Sequence, residues 1–480
     1  MDSPIEFGTD GIRGVAGTYP LSPEAVLATG RAIGRWLREN AAAPTAIIGR
    51  DTRPSGEQIT HALLAGLTAE GIAADDVGVM TTPGIAYLTH ALGYSLGIVI
   101  SASHNPADQN GIKVIGSDGF KLSDEAEAAI EALIMRYLAD PPISSGFGRV
   151  HRAEQHRSRY LQHLLTGLAP DALQGLSVVL DCANGASYAI APEAFARLGA
   201  AVTALGTAPT GDNINVRSGS EHVRRHSETL RAMIADSNAD VGIAFDGDAD
   251  RVIFLTPRGT LIDGDHILAL LADHLLQHGD LPGPTVVATT MSNSGLEHYL
   301  SQRGITLERT KVGDRYVMER MRAGGFRLGG EQAGHIILLD AEHTAGDGIY
   351  IGLQVAALIA RQRTLLEDIA CAMPRYPQVI VSTHLTRQVP LEGIPALQPL
   401  VDETLAAFDH QGRVNMRYSG TEPNLLRAMV EGGPRSSMDE VIERALALCR
   451  LVIQAGQSDS AQIDIVDCAT GAKIDANRYR

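Results

Sequence analysis

Five short apolar segments of this chain each end in a polar loop, and this repetition constrains the fold more than any other feature. The segments and their loops read TAIIGRDTR, LGIVISASHNP, LSVVLDCANGA, VGIAFDGDADR and TVVATTMSNSG. Segments of helical period lie among them, at residues 23–38, 56–70, 123–138 and 221–236. Strands that alternate with helices predict α/β domains with substantially parallel sheets, in which functional residues gather at the carboxyl ends of strands.

The length of 480 residues exceeds what one hydrophobic core usually serves, so we expect several domains. Loops rich in Pro, Ser or Gly at 140–152 and near 257–259, and a two-proline stretch at 372–380, suggest the boundaries. We predict α/β domains at 1–150, 151–256 and 257–372, then a small α+β domain at 373–456. Residues 457–480 form a polar tail whose structure the sequence does not predict.

Composition narrows the class of protein. Forty Lys and Arg against 56 Asp and Glu give a net charge of −16, which would repel nucleic-acid phosphates and anionic lipid. The N-terminal sequence has no basic and apolar leader, and we expect no membrane span. The four cysteines lie far apart without a CxxC pair, which argues against a disulfide framework or a thiolate zinc site. A reducing cytoplasm fits this pattern best.

The densest acidic cluster is DGDADR, residues 246–251, directly after the apolar segment VGIAF. Carboxylates at alternating positions of a tight turn repel one another unless a hard cation lies among them, and Mg²⁺ prefers such oxygen ligands. Arg251 and Pro257 stand where a calcium EF-hand needs Gly and Glu, so that motif is excluded. The loop predicts a divalent-metal site, with a solvated acidic turn as the alternative.

Ser103 lies in SASHNP, at the end of the apolar segment LGIVI. A serine exposed at a strand end can act as a nucleophile, and His104 is adjacent, although neighbouring residues rarely have the geometry of a nucleophile and its base. No GxSxG elbow occurs. A turn hydroxyl that bonds its own backbone is the alternative.

Two further loops carry groups that could recognise a phosphosugar. GGEQAGH, residues 329–335, places an acid, an amide and an imidazole among glycines, as sugar-hydroxyl recognition requires, or as a structural turn would. RYSGTEP, residues 417–423, with Arg427 behind it, could form a phosphate clamp or an ordinary loop. Walker A and GxGxxG strings are absent, so nucleotide binding has no sequence support.

Taken together and in this order, FGTDGIRG, SASHNP, DGDADR, GEQAGH and RYSGTEP resemble the signature set of the α-D-phosphohexomutases. The strings FGTDGIRG, DCANGA and KVGDRYV are most similar to the branch of that family that acts on glucosamine phosphates. The resemblance implies an α/β fold in which three related α/β domains with mixed sheets and a C-terminal α+β phosphate-binding domain surround a central cleft. The first three domains would carry the phosphoserine, metal and sugar-recognition loops in that order.

The resemblance also implies roles for individual residues. Ser103 would be the phosphoserine, and together with Asp246, Asp248 and Asp250 it would bind one Mg²⁺ per chain. The other catalytic residues would be Arg13, His104, Lys113, Arg251 and His335. The residues expected to bind substrate are Lys311, Glu331, Arg417, Ser419, Gly420, Thr421 and Arg427.

The implied reaction is a Mg²⁺-dependent interconversion of glucosamine 6-phosphate and glucosamine 1-phosphate through a 1,6-bisphosphate, in the cytoplasm. It would supply the synthesis of UDP-N-acetylglucosamine. Glucose or glucosamine 1,6-bisphosphate would prime Ser103, the partner would be a small hexose or hexosamine phosphate, and the resemblance leaves room for a homodimer. Neither nucleic acid nor membrane is an expected partner.

Two departures from the family pattern keep alternatives open. Ala333 stands where the sugar loop usually has Ser, and Ala249 stands where Gly is frequent. The first change leaves the sugar preference open, so a phosphomannomutase or phosphoglucomutase of the same family is an alternative. Two others are a haloacid-dehalogenase-like phosphatase with Asp246 as nucleophile, although Asp250 replaces the Thr or Val of that motif, and a non-catalytic phosphosugar-binding protein.

Overall fold

The computed structural model describes residues 4–8, 10–144, 146–419, 424–458 and 462–479. Residues 1–292 and 300–371 form one compact unit, and residues 293–299 with 372–480 form a second. The described strands build four sheets, three mixed ones in the first unit and an antiparallel one in the second. The predicted α/β class with mixed sheets is therefore confirmed. None of the helices in the described ranges has the length and apolar character that crossing a bilayer demands.

The first sheet carries the strand that leads to Ser103. Its strands are β1 (Ile12–Val15), β2 (Thr45–Arg50), β3 (Ala73–Val79), β4 (Leu96–Ile100), β5 (Gln109–Gly116) and β6 (Val150–Arg152). Its helices are α1 (Pro23–Asn40), α2 (Gly56–Ala69), α3 (Thr82–Leu92) and α4 (Asp124–Ala139). The strand order is β1-β5-β4-β2-β3-β6, with β2 parallel to β3 and β4, and β5 antiparallel to β4. All five residues of β4 are buried, which explains their continuous apolar run.

The second sheet carries the strand that leads to the acidic loop. Its strands are β7 (Ser177–Asp181), β8 (Ala201–Leu205), β9 (Val241–Phe245), β10 (Val252–Leu255) and β11 (Leu261–Ile262), in the order β11-β10-β9-β7-β8. Its helices are α5 (His156–Leu164), α6 (Ile190–Arg197), α7 (Ser220–Arg225) and α8 (Glu228–Ser237). The prediction of one helix over 221–236 is wrong, because His226 leaves the helical region with φ −143° and ψ 78°. Hydrophobic period alone does not detect such a break.

The third sheet carries the predicted sugar loop. Its strands are β12 (Thr285–Thr289), β13 (Thr306–Thr310), β14 (Leu328–Gly330) and β15 (Ile336–Leu338), in the order β13-β12-β14-β15. The helices of this stretch of chain are α9 (Gly264–Gln277), α10 (Ser294–Ser301), α11 (Asp314–Gly324), α12 (Gly348–Arg361) and α13 (Leu365–Ala372). The antiparallel pair of β14 and β15 forms a tight hairpin, so its connecting turn lies at one edge of the sheet.

The fourth sheet is antiparallel and includes the tail that the sequence left unassigned. Its strands are β16 (Gln378–His384), β17 (Arg413–Tyr418), β18 (Leu425–Glu431), β19 (Ile463–Asp467) and β20 (Lys473–Ile474), in the order β17-β18-β16-β19-β20. Its helices are α14 (Leu397–Ala407) and α15 (Met438–Ala455). In β19, Ile465 is buried in the core of this unit. The described residues 462–479 of the tail are therefore part of the fold.

Two strands run slightly past the predicted domain limits. β6 pairs with β3, so the first sheet extends to Arg152, and β11 pairs with β10, so the second extends to Ile262. Short edge strands of two or three residues carry too little periodic signal to be placed from sequence.

Candidate active site

Ser103 lies in the turn between β4 and β5, and this turn directs its hydroxyl toward the acidic loop. Its backbone is left-handed, with φ +53°, and the residue is 1% exposed. The Oγ atom donates a hydrogen bond of 2.5 Å to Oδ2 of Asp246. Nδ1 of His104 lies 3.4 Å from the same Oγ. Two motifs 143 residues apart in sequence are thus joined directly.

The acidic loop connects β9 to β10, and its three aspartates converge. Ligand oxygens of Asp246, Asp248 and Asp250 all lie within 4.8 Å of one another, and all three residues are buried. Burial, together with Asp250 and Asp248, raises the pKa of Asp246 well above its ordinary value. Ala249 adopts φ +58°, a left-handed conformation that Gly enters with less strain. The loop keeps this conformation without the glycine.

The three aspartates fit a hard divalent cation. Oδ1 of Asp248 and Oδ1 of Asp250 are buried and have no hydrogen-bond partner among the described residues. Because unsatisfied buried carboxylates are costly, a cation among them would offset both the missing partners and the mutual repulsion. The residues present therefore fit the Mg²⁺ that the family resemblance implies. Within the described ranges, no other group of three or more potential ligands gathers in this way.

Lys113 of β5 supplies positive charge to the acidic loop. Its Nζ lies 2.8 Å from Oδ2 of Asp248, 3.7 Å from Asp250 and 3.4 Å from Asp10. Burial alone would lower the pKa of Lys113, but Asp10 and Asp248 raise it by more than burial lowers it, so the net shift is upward. The structure thus brings this predicted catalytic cation directly to the predicted metal ligands.

Arg251 and His104 also lie beside the loop, the first as a cation and the second as a neutral imidazole near pH 7. The Arg251 guanidinium lies 3.8 Å from Glu221 and 3.9 Å from Asp250, and its backbone N–H donates to Oδ1 of Asp246 at 3.2 Å. Burial, with Arg251 nearby, lowers the pKa of His104 to about 4. Both residues therefore lie where the sequence analysis expects them, beside Ser103 and the aspartates.

Asp10 is a central residue to which the sequence analysis assigned no role. It pairs with Arg13 and accepts a hydrogen bond of 2.9 Å from Lys121. Lys121 in turn lies 2.7 Å from Asp314, the first residue of α11. Partial burial would raise the pKa of Asp10, but Lys113 and Lys121 hold it well below its usual range. Asp10 therefore connects Arg13 and Lys113, through Lys121, with the start of α11.

The predicted sugar loop is the turn between β14 and β15, and it lies against the acidic loop. Nδ1 of His335 is 3.6 Å from Oδ2 of Asp250, and its Nε2 is 3.8 Å from Asp314. The Glu331 carboxylate accepts a hydrogen bond of 3.1 Å from the Gly313 backbone. Burial raises the pKa of Glu331, although Arg251 opposes this shift. This turn therefore joins the same cluster of charges.

Lys311 takes a different position from the other predicted residues of the first unit. It is exposed, and its ammonium lies 5.8 Å from the centre of the Tyr316 ring. A cavity of about 720 Å³ opens beside the remaining groups, a size typical of small-molecule sites. Its lining includes Asp10, Lys113, Asp250, Asp314 and His335.

The predicted phosphate-binding residues belong to the second unit. Arg417 of β17 is the direct register partner of Arg427 of β18. Burial, and then the Arg427 charge, lowers the pKa of Arg417. The Ser419 backbone N–H donates to the Leu425 carbonyl at 2.8 Å, while Gly420 and Thr421 lie outside the described residues. Two like charges therefore face each other across the strands, an arrangement that an anion would stabilise.

The four sheets, the serine turn and the acidic loop occur in the order that the resemblance to the phosphohexomutases implies. The chain belongs to the phosphoglucomutase/phosphomannomutase family. Models of its alpha/beta/alpha domains I, II and III match residues 4–139, 158–259 and 263–376, and the model of its C-terminal domain matches residues 380–448. The predicted family membership is confirmed. The alternative of a haloacid-dehalogenase-like phosphatase is therefore excluded.

Curated relatives place the chain near one branch of this family. It is 46% identical to a phosphoglucosamine mutase of Cereibacter sphaeroides. The 444 aligned residues cover 92% of this chain and 98% of the relative. It is 44% identical over 454 residues to the phosphoglucosamine mutase of Symbiobacterium thermophilum, covering 94% and 100%. A crystal structure of a phosphoglucomutase/phosphomannomutase family protein from Burkholderia thailandensis is similar with a TM-score of 0.75 and 25% identity, covering 96% of this chain and 100% of that one.

Proposed function

We propose that this protein interconverts glucosamine 6-phosphate and glucosamine 1-phosphate, with Ser103 as the phosphorylated residue. The observation that carries the proposal is the 2.5 Å hydrogen bond between the Ser103 hydroxyl and Asp246. It brings a potential phosphoryl carrier to the edge of a potential metal site. The relatives named above, which are phosphoglucosamine mutases, support the choice of an amino sugar.

The reaction has two half-reactions. In the first, the bond between Ser103 Oγ and phosphorus breaks while the 1-hydroxyl oxygen of glucosamine 6-phosphate bonds to phosphorus. That hydroxyl loses its proton and Oγ gains one, so the step balances. The 1,6-bisphosphate then turns around, and its 6-phosphoryl group is transferred to Ser103. In this step the bond between the 6-oxygen and phosphorus breaks, the bond between Oγ and phosphorus forms, Oγ loses its proton and the 6-oxygen gains one, and glucosamine 1-phosphate is released.

Phosphoryl transfer depends more on positioning and charge than on covalent chemistry. Lys113 and Arg251 lie beside the acidic loop, where they can offset the negative charge of the transferred group. Asp246, Asp248 and Asp250 would hold one Mg²⁺ per chain, with an oxygen of phosphorylated Ser103 as a further ligand. When bound, Mg²⁺ would add positive charge next to the phosphoryl oxygens.

The remaining roles concern the substrate. Glu331 would accept hydrogen bonds from sugar hydroxyls, with His335 beside it, and Lys311 would contact the sugar from its loop. A phosphate of the substrate would be bound by Arg417, Ser419, Gly420, Thr421 and Arg427. We propose that glucose or glucosamine 1,6-bisphosphate primes the enzyme by phosphorylating Ser103.

The cellular context belongs to the same proposal. The described residues contain no disulfide among the four cysteines, which fits a reducing compartment, and we propose the cytoplasm. The product would feed the synthesis of UDP-N-acetylglucosamine. We also propose a homodimer, which multi-angle light scattering of the purified protein would test.

A substrate panel tests the proposal most directly. Purified protein is incubated with Mg²⁺ and glucose 1,6-bisphosphate, and turnover is compared for the 6-phosphates of glucosamine, mannose and glucose. We expect the highest kcat/KM with glucosamine 6-phosphate. Higher values with mannose or glucose phosphate would favour a phosphomannomutase or phosphoglucomutase, for which the missing hydroxyl at Ala333 is the supporting observation. Tight binding of all three without turnover would indicate a non-catalytic binding protein.

A further inference from the structure

The segment Asp51-Thr52-Arg53 follows β2 and has no role in the function proposed above. The Arg53 side chain is fully buried, and all five of its side-chain N–H groups have acceptors. Nε donates to Asp51 at 2.9 Å. The other four groups donate to backbone carbonyls of one short segment, residues 103–109.

Those carbonyls belong to the turn that carries the reactive serine. One terminal nitrogen of Arg53 donates to the carbonyls of Ser103 and Asn105, both at 2.8 Å. The other donates to the carbonyls of Pro106 and Gln109, the latter at 2.9 Å. Because the guanidinium is planar and rigid, it fixes these four oxygens relative to one another.

The same segment also fixes the backbone N–H of Ser103. That group donates to Ser101 Oγ at 2.9 Å, and Ser101 Oγ donates to Asp51 Oδ2 at 2.6 Å. Asp51 therefore binds both Ser101 and Arg53. Both polar backbone groups of Ser103 are thus held from the end of β2, one directly and one through a hydroxyl.

Ser103 needs such support because of its conformation. A residue with a side chain rarely adopts φ near +53°, and the surrounding contacts must hold it there. The side-chain amide of Asn215 is a second donor to the carbonyls of Ser103 and Asn105, at 2.9 and 3.1 Å. The left-handed turn is what directs Oγ at Asp246.

We infer that Arg53 is a positioning residue for phosphoryl transfer: it holds the turn at residues 103–106 so that Ser103 Oγ stays aimed at the acidic loop. This inference rests on the proposed function. Lys in place of Arg53 would keep the charge but could not reach four carbonyls at once, so Oγ would shift. A displacement of about 1 Å at a reacting atom can reduce turnover by roughly 100-fold.

The test compares Arg53→Lys with Arg31→Lys. Arg31 is a matched control because it is also largely buried, binds Glu70 at 2.9 Å and donates to the Pro142 carbonyl, but contacts no residue of the serine turn in these bonds. We expect Arg53→Lys to lower kcat by roughly 100-fold with KM changed less than about threefold. Phosphorylation of Ser103 by glucose 1,6-bisphosphate should slow by the same factor, and the ³¹P signal of the phosphoserine should shift. Arg31→Lys should change none of these values.

The outcomes separate this inference from the proposed function. Wild-type protein without phosphoryl transfer would overturn the proposed function itself. If the wild type is active, two results would overturn the inference alone. One is a kcat of Arg53→Lys within about threefold of the wild-type value, and the other is an equal reduction of kcat in both Lys variants. If Arg53→Lys does not fold, Asp51→Asn decides, because Asp51 accepts from Arg53 Nε and holds the Ser103 N–H through Ser101. We expect it to lower kcat by about tenfold at similar KM, and an unchanged kcat would overturn the inference.

Discussion

The two predicted phosphate-binding regions of this protein arrange their charged side chains in opposite ways. Around Ser103, in the first unit, opposite charges are paired: Lys113 lies 2.8 Å from Asp248, and Asp10 pairs with Lys121 at 2.9 Å. In the second unit, like charges oppose each other, with Arg417 in register with Arg427.

This difference separates a preorganised site from one that favours an incoming anion. Paired charges around Ser103 keep the reacting groups in place before substrate arrives, as transition-state stabilisation requires. A phosphate bound beside Arg417 and Arg427 would reduce the repulsion between these two like charges. Changes in the first region should therefore reduce kcat, and changes in the second should raise KM.

The largest expected effect follows loss of the phosphoryl carrier. Ser103→Ala should reduce turnover of glucosamine 6-phosphate by roughly 10⁴-fold or more, because it removes the hydroxyl that lies 2.5 Å from Asp246 and would carry the phosphoryl group. A coupled assay primed with glucose 1,6-bisphosphate measures this. The matched control is Ser123→Ala, which removes the N-cap of α4. It should cost about 1 kcal/mol of stability and leave turnover normal. Substantial turnover by Ser103→Ala would refute the assignment of the first region.

The next effect concerns the acidic loop. Asp248→Asn removes one of three carboxylates and the nearest of the three acidic partners of Lys113, so Mg²⁺ affinity should fall by roughly 100-fold. Isothermal titration calorimetry with MgCl₂ measures the affinity directly. Asp236→Asn, at an exposed position in α8, is the control and should bind Mg²⁺ as wild type does. Equal affinities in the two variants would argue against a metal site at this loop.

In the second unit, substitutions of two arginines on the same strand should have different effects on the melting temperature. Arg417→Met removes one of two opposed charges, so KM should rise by roughly 10–100-fold while the melting temperature stays level or rises slightly. Arg413→Met removes the cation 2.7 Å from the fully buried Glu431, which keeps the Ser294 backbone N–H as a neutral donor at 3.2 Å, and should lower the melting temperature. Steady-state kinetics and thermal unfolding measure both values. A clear loss of stability in Arg417→Met would contradict the like-charge account.

The smallest effect concerns a buried imidazole away from both regions. His163 stacks on Tyr87 and lies next to His343, with ring centres at 3.7 and 4.4 Å. Burial, and then His343, lowers the pKa of His163 to about 3, although Asp340 opposes the shift. Glu342 lies 3.5 Å away but is 64% exposed, so water screens its charge, and the nearby Tyr160 is neutral.

The direction of the pH dependence follows from that shift. A histidine whose pKa is depressed on folding contributes stability above its unfolded pKa of about 6.5 and loses it as pH falls toward about 3. Urea unfolding should therefore show lower stability at pH 5.5 than at pH 7, and His163→Phe should reduce this difference. His151→Gln, at an exposed site in β6, should leave it unchanged. An identical pH dependence in His163→Phe and wild type would show that His163 does not contribute.

Sequence predicted what lies close together along the chain. The three aspartates occupy one five-residue stretch after a strand, and Ser103 follows another strand, so both loops could be expected at strand ends. The links among Asp10, Lys121 and Asp314 could not be predicted, because these residues are far apart in sequence and no spacing connects them. The role of Arg53 was missed for a different reason: its acceptors are backbone carbonyls, which the identity of a side chain does not reveal.

Local structure was missed where the signal was short. The break at His226 depends on one residue that leaves the helical region, and periodicity averages over longer windows. The strand Ile463–Asp467 does show alternation, with Ile465 buried, but it pairs with β16 about 85 residues earlier. Alternation alone in a polar tail did not indicate that partner.

The most direct test of the account follows one phosphoryl group. Protein phosphorylated with ³²P-labelled glucose 1,6-bisphosphate is digested and mapped, then mixed in a single turnover with glucosamine 6-phosphate and Mg²⁺. We predict label on Ser103 alone, and its transfer to glucosamine 1,6-bisphosphate at a rate no slower than kcat. Turnover with no label on Ser103, or label on an aspartate of the acidic loop, would contradict the account.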